Sequence, residues 1–410
     1  MPPFHSSEPG RPAADRGTAL AGDVLACLAM KVLASRQPGQ KVFFLSRDGW
    51  LPWQLLDGVG TYVHVSRQAL RLPLLAADPA RAARWAIDPA TNNSVASVLA
   101  RLGATPEPFE GALAANGFSR DDWQLPLGRS ARRRLATFIQ SGTFRPHLHQ
   151  VATEQGDKVS GYLRSQGLFD PAGGLIVDVG WNGSCHKHLQ EWREREGVDP
   201  APLGGVYLGL QTREGFAPGT RLEAVWEPGR TGGHLFELPP FYVLSEMFLT
   251  ADHGGVLGYE RSGGGVSPLL APHDGSGALS HWGLREFQKE ILDRARSRLG
   301  ETGLDPALLS NGTAALFEAF ATHPTPSEAI RYGQWPVCVD PAHGQAFSLA
   351  PSLDMRGMWN YFVHRLPQPV LWREAAAARL SGIRRLLFAL ANRADALACS
   401  ARVILSRLRR

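Results

Sequence analysis

Cysteine is scarce in this chain: it has four cysteines among 410 residues, and none forms a Cys-x-x-Cys pair. This scarcity excludes a disulfide framework or a zinc site of the usual spacing, and it indicates reduced thiols in a cytoplasmic protein. The chain also lacks an apolar run of about 18 residues, so no membrane-spanning helix is predicted. Its polar, proline-rich start has no apolar segment typical of a secretory signal.

Several catalytic motifs are missing too. The sequence has no nucleophile elbow, no Walker loop, no Gly-x-Gly-x-x-Gly after a strand and no His-Glu-x-x-His. Covalent hydrolase, NTPase and dehydrogenase functions therefore have no motif in their favour. A phosphatase is disfavoured because Ser46-Arg47-Asp48-Gly49 lacks paired aspartates.

Positive charge is in short supply outside the C-terminal tail. The net charge is +5, and residues 371–410 carry nine arginines against Glu374 and Asp395. The tail alone therefore has a net charge of +7, which leaves a net charge of −2 for residues 1–370. Because the basic character belongs to the tail, the body of the protein is not predicted to bind nucleic acid.

Apolar residues occur in two kinds of pattern. Residues 18–35 have helical spacing, whereas Val42–Leu45, 62–65, 175–178 and 205–210 are short apolar runs typical of buried strands. The alternation of strands and helices predicts an α/β fold with a largely parallel, Rossmann-like sheet flanked by helices.

The same patterns predict four regions. Residues 1–16 form a flexible N-terminus, and 17–330 form an α/β catalytic-type domain with a helical insertion at about 78–160. Residues 331–370 are an extension rich in proline and aromatics, and 371–410 are a basic amphipathic helical tail. The tail has two interpretations: a helix lying on an anionic membrane, or a helix packed on the body or on a partner protein.

Polar residues follow the first two predicted strands directly. Ser46-Arg47-Asp48-Gly49 follows the first, and Ser66-Arg67 follows the second. Ligands of open α/β sheets bind beyond the carboxyl ends of the strands. Arginine offers a planar fork for phosphate, aspartate holds a divalent cation or takes a proton, and glycine permits close approach. The alternative interpretation is an Arg–Asp pair that caps the next helix.

A third loop follows the strand that ends at Asp178. Its sequence, Gly180-Trp181-Asn182-Gly183-Ser184, leads into a helix, which is how a chain cradles phosphate on backbone N–H groups. Asp178 would face sugar hydroxyls or Mg²⁺; an N-cap in a tight turn is the alternative. Further along, Glu246 and Asp252-His253 either complete the site from another loop or form a surface turn.

These loops carry a family resemblance. The segments FFLSRDGWL, YVHVSRQAL, LIVDVGWNGSCHKHLQ, GGVYLGL and SEMFLTADHGGVLGYE resemble successive blocks of one bacterial domain. That domain usually follows a haloacid-dehalogenase-type phosphatase in surface-polysaccharide proteins, and the likeness spans about residues 17–328. In ribofuranosyltransferase members, the domain is a glycan phosphoribosyltransferase.

The resemblance implies transfer of phosphoribose from 5-phosphoribosyl pyrophosphate to a glycan acceptor, in O-antigen lipopolysaccharide or capsule biosynthesis. The chain has no DxDxT-type motif near its start, so a separate phosphatase is expected to remove the 5′-phosphate. The expected location is the cytoplasm, with peripheral attachment at the inner face of its membrane where the tail binds lipid.

Each predicted site residue receives a role from this reasoning. Asp48 and Asp178 are the catalytic residues, and either of them is the ligand of Mg²⁺. Glu246, Asp252 and His253 are accessory. The residues predicted to bind the donor and its phosphates are Ser46, Arg47, Gly49, Ser66, Arg67, Gly180, Trp181, Asn182, Gly183 and Ser184.

Two other functions fit the same loops. One is a transferase of the same fold that uses another donor, such as a sugar nucleotide. The other is a non-catalytic module that binds phosphosugar or glycan and organises an assembly complex through its basic tail. Fold-level likeness alone does not separate these functions.

Overall fold

The centre of the protein is a five-stranded, all-parallel sheet. The computed structural model describes residues 15–87, 93–198, 202–272, 277–338, 346–362 and 369–392. The strand order is β2-β1-β3-β4-β5. The strands are β1 (Val42–Leu45), β2 (Thr61–Val63), β3 (Leu175–Trp181), β4 (Gly204–Leu210) and β5 (Leu222–Trp226). The predicted α/β class is confirmed.

Helices cover both faces of this sheet. They are α1 (Arg16–Ser35), α2 (Trp50–Leu55), α3 (Arg67–Ala76), α4 (Pro79–Ala86), α5 (Val95–Arg101), α6 (Glu110–Ala115), α7 (Arg129–Ile139), α8 (Arg145–Ser165), α9 (Ser184–Arg195), α10 (Phe241–Leu249), α11 (Ala278–Trp282), α12 (Leu284–Leu299), α13 (Pro306–Thr322), α14 (Pro326–Gly333), α15 (Met355–Phe362) and α16 (Arg373–Ala378). Residues 382–392 are also helical. Short 3₁₀ turns occupy Glu107–Phe109, Arg120–Asp122 and Gly233–Glu237.

Alternate residues of β1 point into two different cores. Val42 and Phe44 pack with α1, α10, α12 and α13, whereas Phe43 and Leu45 pack with α3, α8 and α9. A strand buried on both faces needs apolar residues at every position, because successive side chains point to opposite faces. The continuous apolar run at 42–45 therefore reflects a central position in the sheet.

Two antiparallel pairs lie outside the main sheet. They are β6 (Val256–Ser262) with β7 (Gly265–Leu270), and β8 (Pro336–Cys338) with β9 (Ala346–Ser348). The first pair packs on α3 and α8 through Val256 and Tyr259. This contact brings the start of β6 close to the carboxyl ends of β1 and β2.

A helical segment separates β2 from β3. It contains α3 to α8, and its helices share a core of their own between Leu72 and Ala152. The helices extend from Arg67 to Ser165, a wider span than the predicted insertion at 78–160. The predicted division into domains stays a prediction.

The strand order creates a crevice beside β1. The chain runs from β1 outward to β2 and then returns, so that β3 pairs with the other edge of β1. Connections leave β1 and β3 on opposite faces of the sheet at such a switch point, which leaves a cleft at the carboxyl ends of the strands. The predicted loop Ser46–Gly49 begins at this cleft. The prediction that the third strand ends at Asp178 is wrong, because β3 continues to Trp181, and the loop proper is Asn182 and Gly183, before α9 begins at Ser184.

Helix α1 is the central helix of the larger core. By length and composition it is apolar enough to cross a membrane, but 72% of its apolar window is buried inside the fold. Leu20, Val24, Leu28 and Val32 are all at most 1% exposed. The apolar surroundings that the side chains of α1 need are therefore supplied by the core of the fold.

The C-terminal region packs on the body of the protein in part. Trp372 is fully buried and donates from its indole nitrogen to the Ala321 carbonyl at 2.7 Å. Gly382 interrupts the helical path with a φ of 55°, and Phe388 in the following helix is again fully buried. Residues 1–14 of the predicted flexible N-terminus at 1–16 lie outside the described residues, while Asp15 caps α1 and Arg16 begins it. The tail beyond 392 also lies outside the described residues, as do 339–345 and 363–368 of the extension.

Candidate active site

A cavity of about 350 Å³ lies at the switch point. It is bounded by residues in and after the carboxyl ends of β1, β2 and β3, together with α10 and the start of β6. The predicted residues that line it are Ser46, Arg47, Asp48, Ser66, Arg67, Asp178, Gly180, Trp181, Asn182, Ser184 and Glu246. Loops that are distant in sequence thus meet at one sheet edge, as parallel strands require.

The backbone is strained at both main loops. Among the described residues, Arg47 and Trp181 are the two non-glycine residues with positive φ, at 69° and 61°. Such conformations cost free energy and persist where the surrounding structure enforces them, and they cluster at functional sites. One strained residue follows β1 and the other ends β3, so both flank the cavity.

Two arginines in this cavity have free guanidinium groups. In the described part of the chain, the side chains of Arg47 and Arg67 form no hydrogen bond and no ion pair, and both are exposed. The Arg47 backbone N–H, in contrast, donates to the Tyr62 hydroxyl at 2.8 Å. Guanidinium groups held open in a cleft are suited to a phosphate, which they bind through paired N–H donors.

Three carboxylates oppose these arginines. Burial raises the pKa of Asp48 well above its ordinary value, and the nearby charges of Glu246 and Asp178 raise it further, while Arg47 and Arg67 act in the other direction. Burial also raises the pKa of Asp178 to about 6, with a further contribution from Glu246. A carboxyl group that titrates near neutrality is suited to exchange protons with a substrate.

Trp181 connects the β3 loop to α10. Its indole N–H donates to Glu246 Oε1 at 3.2 Å, and its ring packs edge-on against Phe241 and Tyr242. The indole of Trp181 thus fixes the Glu246 carboxylate in the cavity that Asp48 and Asp178 also line. Sequence reasoning treated Glu246 as an accessory, but the pKa shifts of both aspartates depend on it.

The N-terminus of α9 opens into the same cavity. Gly183 at its N-cap is left-handed, and no side chain caps the helix. Its first backbone N–H groups therefore have no side-chain acceptor, and they carry the positive end of the helix dipole. Ser184 and Cys185 of this first turn line the cavity, so an anion there would meet these donors.

Several residues predicted to bind the donor form hydrogen bonds or close packing contacts within the protein. The Ser46 hydroxyl donates to the Val65 carbonyl at 2.5 Å, which joins the ends of β1 and β2. The Ser66 hydroxyl donates to the Val256 carbonyl at 2.7 Å and caps α3. Gly49 does not line the cavity: a Cβ there would lie 2.4 Å from the Leu45 carbonyl oxygen.

Asp252 and His253 do not line the cavity either. His253 Nε2 lies 2.6 Å from the Tyr62 hydroxyl, which accepts the Arg47 N–H. The Tyr62 hydroxyl then donates to His253, and the two side chains together support the backbone at Arg47. The accessory role of Asp252 and His253 stays a prediction, and the contact that the structure shows is the one between His253 and Tyr62.

Some lining residues were not predicted as site residues, although all of them fall within the segments that carry the family resemblance. They are Leu45, Val65, Gln68, Cys185, Gly255, Val256 and Leu257. Gln68 and Cys185 are adjacent to predicted residues and could have been included on that basis. The start of β6 lies in the last of those segments, but its position at the cavity depends on the packing of β6 on α3 and α8.

Gly183 provides a first prediction. Its φ is 59°, and a Cβ at this position would lie 2.3 Å from Phe216 Cζ. We expect Gly183→Ala to lower the free energy of unfolding by about 2–4 kcal/mol, since it adds overpacking to a left-handed backbone. Urea unfolding measures this.

The control lies at the other end of the same helix. Gly197 has a φ of 67° with open space around it, so Gly197→Ala meets the backbone penalty alone, about 1–2 kcal/mol. Equal losses in the two variants would show that Phe216 does not constrain the α9 N-terminus.

No protein-family model and no curated protein matches this sequence. The family resemblance of the loop motifs therefore stays a prediction, and the argument for function depends on the site itself.

Proposed function

We propose that this protein is a glycosyltransferase of the phosphoribosyltransferase type that acts in bacterial surface-polysaccharide biosynthesis. It transfers phosphoribose from 5-phosphoribosyl pyrophosphate to a hydroxyl group of a glycan. The observation that carries the proposal is the composition of one cavity: carboxyl groups with raised pKa values, two unpaired arginines and an uncapped helix N-terminus.

This composition matches the charges of the donor. A pyrophosphate ester carries several negative charges, which Arg47, Arg67 and the first turn of α9 would bind. The reacting sugar carbon becomes cationic as its bond to pyrophosphate lengthens, and a carboxylate beside it would stabilise that charge. One cavity with both signs of charge suits a phosphorylated sugar better than a nucleic acid.

The chemical step conserves atoms and protons as follows. The C1–O bond to pyrophosphate breaks, and pyrophosphate leaves with the bonding electrons. The acceptor hydroxyl oxygen forms the new bond to C1, and its proton passes to Asp178. With a pKa of about 6, Asp178 is ionised at neutral pH and basic enough to take this proton.

Mg²⁺ fits the site as a partner of the donor. The described residues contain no group of three or more side chains able to hold a metal ion. Magnesium usually binds through one or two carboxylates together with substrate phosphates and water. Asp48, whose pKa is raised by burial and by neighbouring negative charges, would be its protein ligand. The ion would neutralise charge on the leaving pyrophosphate.

Two further assignments complete the proposal. A separate phosphatase removes the 5′-phosphate after transfer, because the product carries that group. The reaction takes place in the cytoplasm, where the cysteines stay reduced, with the enzyme held peripherally at the inner face of the membrane. The acceptor glycan is then available to the same cavity.

Donor identity is tested by transfer of radiolabel. Purified protein is incubated with labelled 5-phosphoribosyl pyrophosphate, Mg²⁺ and the glycan acceptor of its own gene cluster. We expect the label to appear in the glycan, and we expect an added phosphatase to remove the terminal phosphate of this labelled product. Thermal-shift titration of the same donor against sugar nucleotides provides a second measurement, since a bound donor stabilises the folded state.

The outcomes separate the candidate functions. If a sugar nucleotide alone stabilises the protein and supports transfer, the protein is a transferase that uses a different donor. Binding without transfer from any donor, with polysaccharide intact in site variants but lost on deletion of 371–410, would identify a non-catalytic scaffold. Failure of every donor to bind would overturn the proposal.

A further inference from the structure

The helix at residues 382–392 is apolar on two sides. Phe388 is fully buried and Ala391 is 7% exposed, so one side faces the body of the protein. Ile383, Leu386 and Leu390 are 69%, 61% and 51% exposed. Their spacing of three and four residues places them on one stripe. A helix with an apolar stripe away from the protein needs an apolar neighbour there.

Helix α15 has the same property. Met358 is buried in the main core, while Met355 and Trp359 are 59% and 67% exposed. The two helices are neighbours, because the rings of Tyr361 and Phe388 lie 4.8 Å apart and the Tyr361 hydroxyl donates to Asn392. Both helices therefore use one side to pack inward and expose apolar side chains on another.

These side chains account for much of the apolar exposure in the described part of the chain. Eleven large hydrophobic residues are exposed there, and five of them are Met355, Trp359, Ile383, Leu386 and Leu390. We call these five the outer apolar surface. Concentration of exposed apolar groups in this way marks an interaction site, whereas scattered single residues do not.

Positive charge surrounds the outer apolar surface. Arg356 and Arg385 are exposed, Arg384 is half-buried, and Asp354 is the exposed acid beside them. In the sequence, residues 393–410, which lie outside the described residues, contain five arginines and one acid, Asp395. An apolar stripe bordered by arginines, with a tryptophan beside it, is the composition of a surface that lies in the headgroup region of an anionic bilayer.

We infer that α15 and residues 382–392 form a docking surface for an anionic lipid bilayer. The apolar side chains enter the boundary between headgroups and acyl chains, and the arginines contact lipid phosphates. A protein partner would have to match an apolar stripe with a strongly acidic rim, whereas an anionic membrane supplies both features at once. This inference rests on the membrane attachment included in the proposed function and assigns it to a surface, and it does not depend on the identity of the donor.

The experiment uses the full-length protein and vesicles of two compositions. Co-sedimentation is measured with phosphatidylcholine alone and with phosphatidylcholine containing phosphatidylglycerol, at low and high salt. We expect binding to the anionic vesicles, weakened by salt, since headgroup attraction is screened. The double variant Leu386→Ser/Leu390→Ser should bind about ten-fold less tightly, because it removes the apolar contribution.

A second double variant tests the charge. Arg384→Gln/Arg385→Gln should also lower binding to anionic vesicles by about ten-fold and leave the weak binding to neutral vesicles unchanged. The matched control is Leu308→Ser/Leu316→Ser, which replaces two leucines of α13 that are 69% and 44% exposed. The control should bind as the wild type does, and all variants should keep their melting temperature.

Three results would overturn the inference. The first is wild-type protein that does not sediment with anionic vesicles. The second is an equal loss in the α13 control, which would indicate nonspecific adhesion. The third is concentration-dependent self-association that disappears in Leu386→Ser/Leu390→Ser, which would assign the surface to a second copy of the chain.

Discussion

Asp178→Asn is expected to lower the turnover number by a factor of about 10²–10⁴ while making the protein more stable at neutral pH. Asn182, Ser184 and the two arginines remain in place, so the donor should still bind. The loss arises because an amide cannot accept the proton of the acceptor hydroxyl. The gain arises because an ionised carboxylate no longer has to be buried, and held near Glu246, in the folded state.

The sign of the stability change depends on pH. The pKa of Asp178 is raised from 3.8 to about 6 in the folded protein, so the folded state binds more protons than the unfolded state between these values. The free energy of unfolding of the wild type therefore falls as pH rises through this interval. We expect the variant to exceed the wild type by about 1–3 kcal/mol at pH 7–8, and the two to converge towards pH 4.

Urea unfolding across this pH range, with turnover measured on the same samples, tests both halves of the prediction. The control is Asp157→Asn, which changes an exposed aspartate of α8. Its stability and turnover should match the wild type at each pH. A variant that keeps its activity, or that is less stable than the wild type at pH 8, would rule out Asp178 as the ionised base.

Arg67→Gln is expected to raise the donor KM by about 10–100-fold, because charge-assisted hydrogen bonds to phosphate contribute about 1.5–3 kcal/mol. It should also change the pH profile. The positive charge of Arg67 holds the pKa of Asp178 down, so its removal moves the acidic limb of the turnover profile to higher pH. A residue that only supports the fold would not move that limb.

Arg47→Gln provides the comparison. Arg47 lowers the pKa of Asp48, and Arg67 is the arginine that also acts on Asp178. We therefore expect a similar rise in donor KM without the shift of the acidic limb. Full pH profiles of kcat and KM for both variants separate these effects. Identical profiles in the two variants would contradict the placement of Arg67 beside Asp178.

The fold class could be predicted because its cause is local. Each central strand is buried on both faces, so its sequence is a continuous apolar run. The flanking helices repeat their apolar residues at helical spacing. The loops that follow β1, β2 and β3 were identifiable for a related reason. Polar and glycine residues directly after a buried strand mark its carboxyl end, which is where open parallel sheets bind ligands.

Other features depended on contacts that no local pattern contains. Glu246 reaches the cavity because α10 packs against Trp181, and Val256 reaches it because the β6–β7 pair packs on α3 and α8. The task of His253 also depends on the tertiary structure, since its partner Tyr62 belongs to a distant strand. The sequence predicted only that Asp252 and His253 either complete the site from another loop or form a surface turn.

The sequence by itself determined the parallel α/β class, the two strand-end loops and the segregation of basic charge into the tail, since all three are properties of neighbouring residues. Only the tertiary structure decided that β3 returns to the free edge of β1, which converts two loops into one cavity. The raised pKa values of Asp48 and Asp178 follow from that return. Burial and the approach of like charges are produced by packing between distant segments.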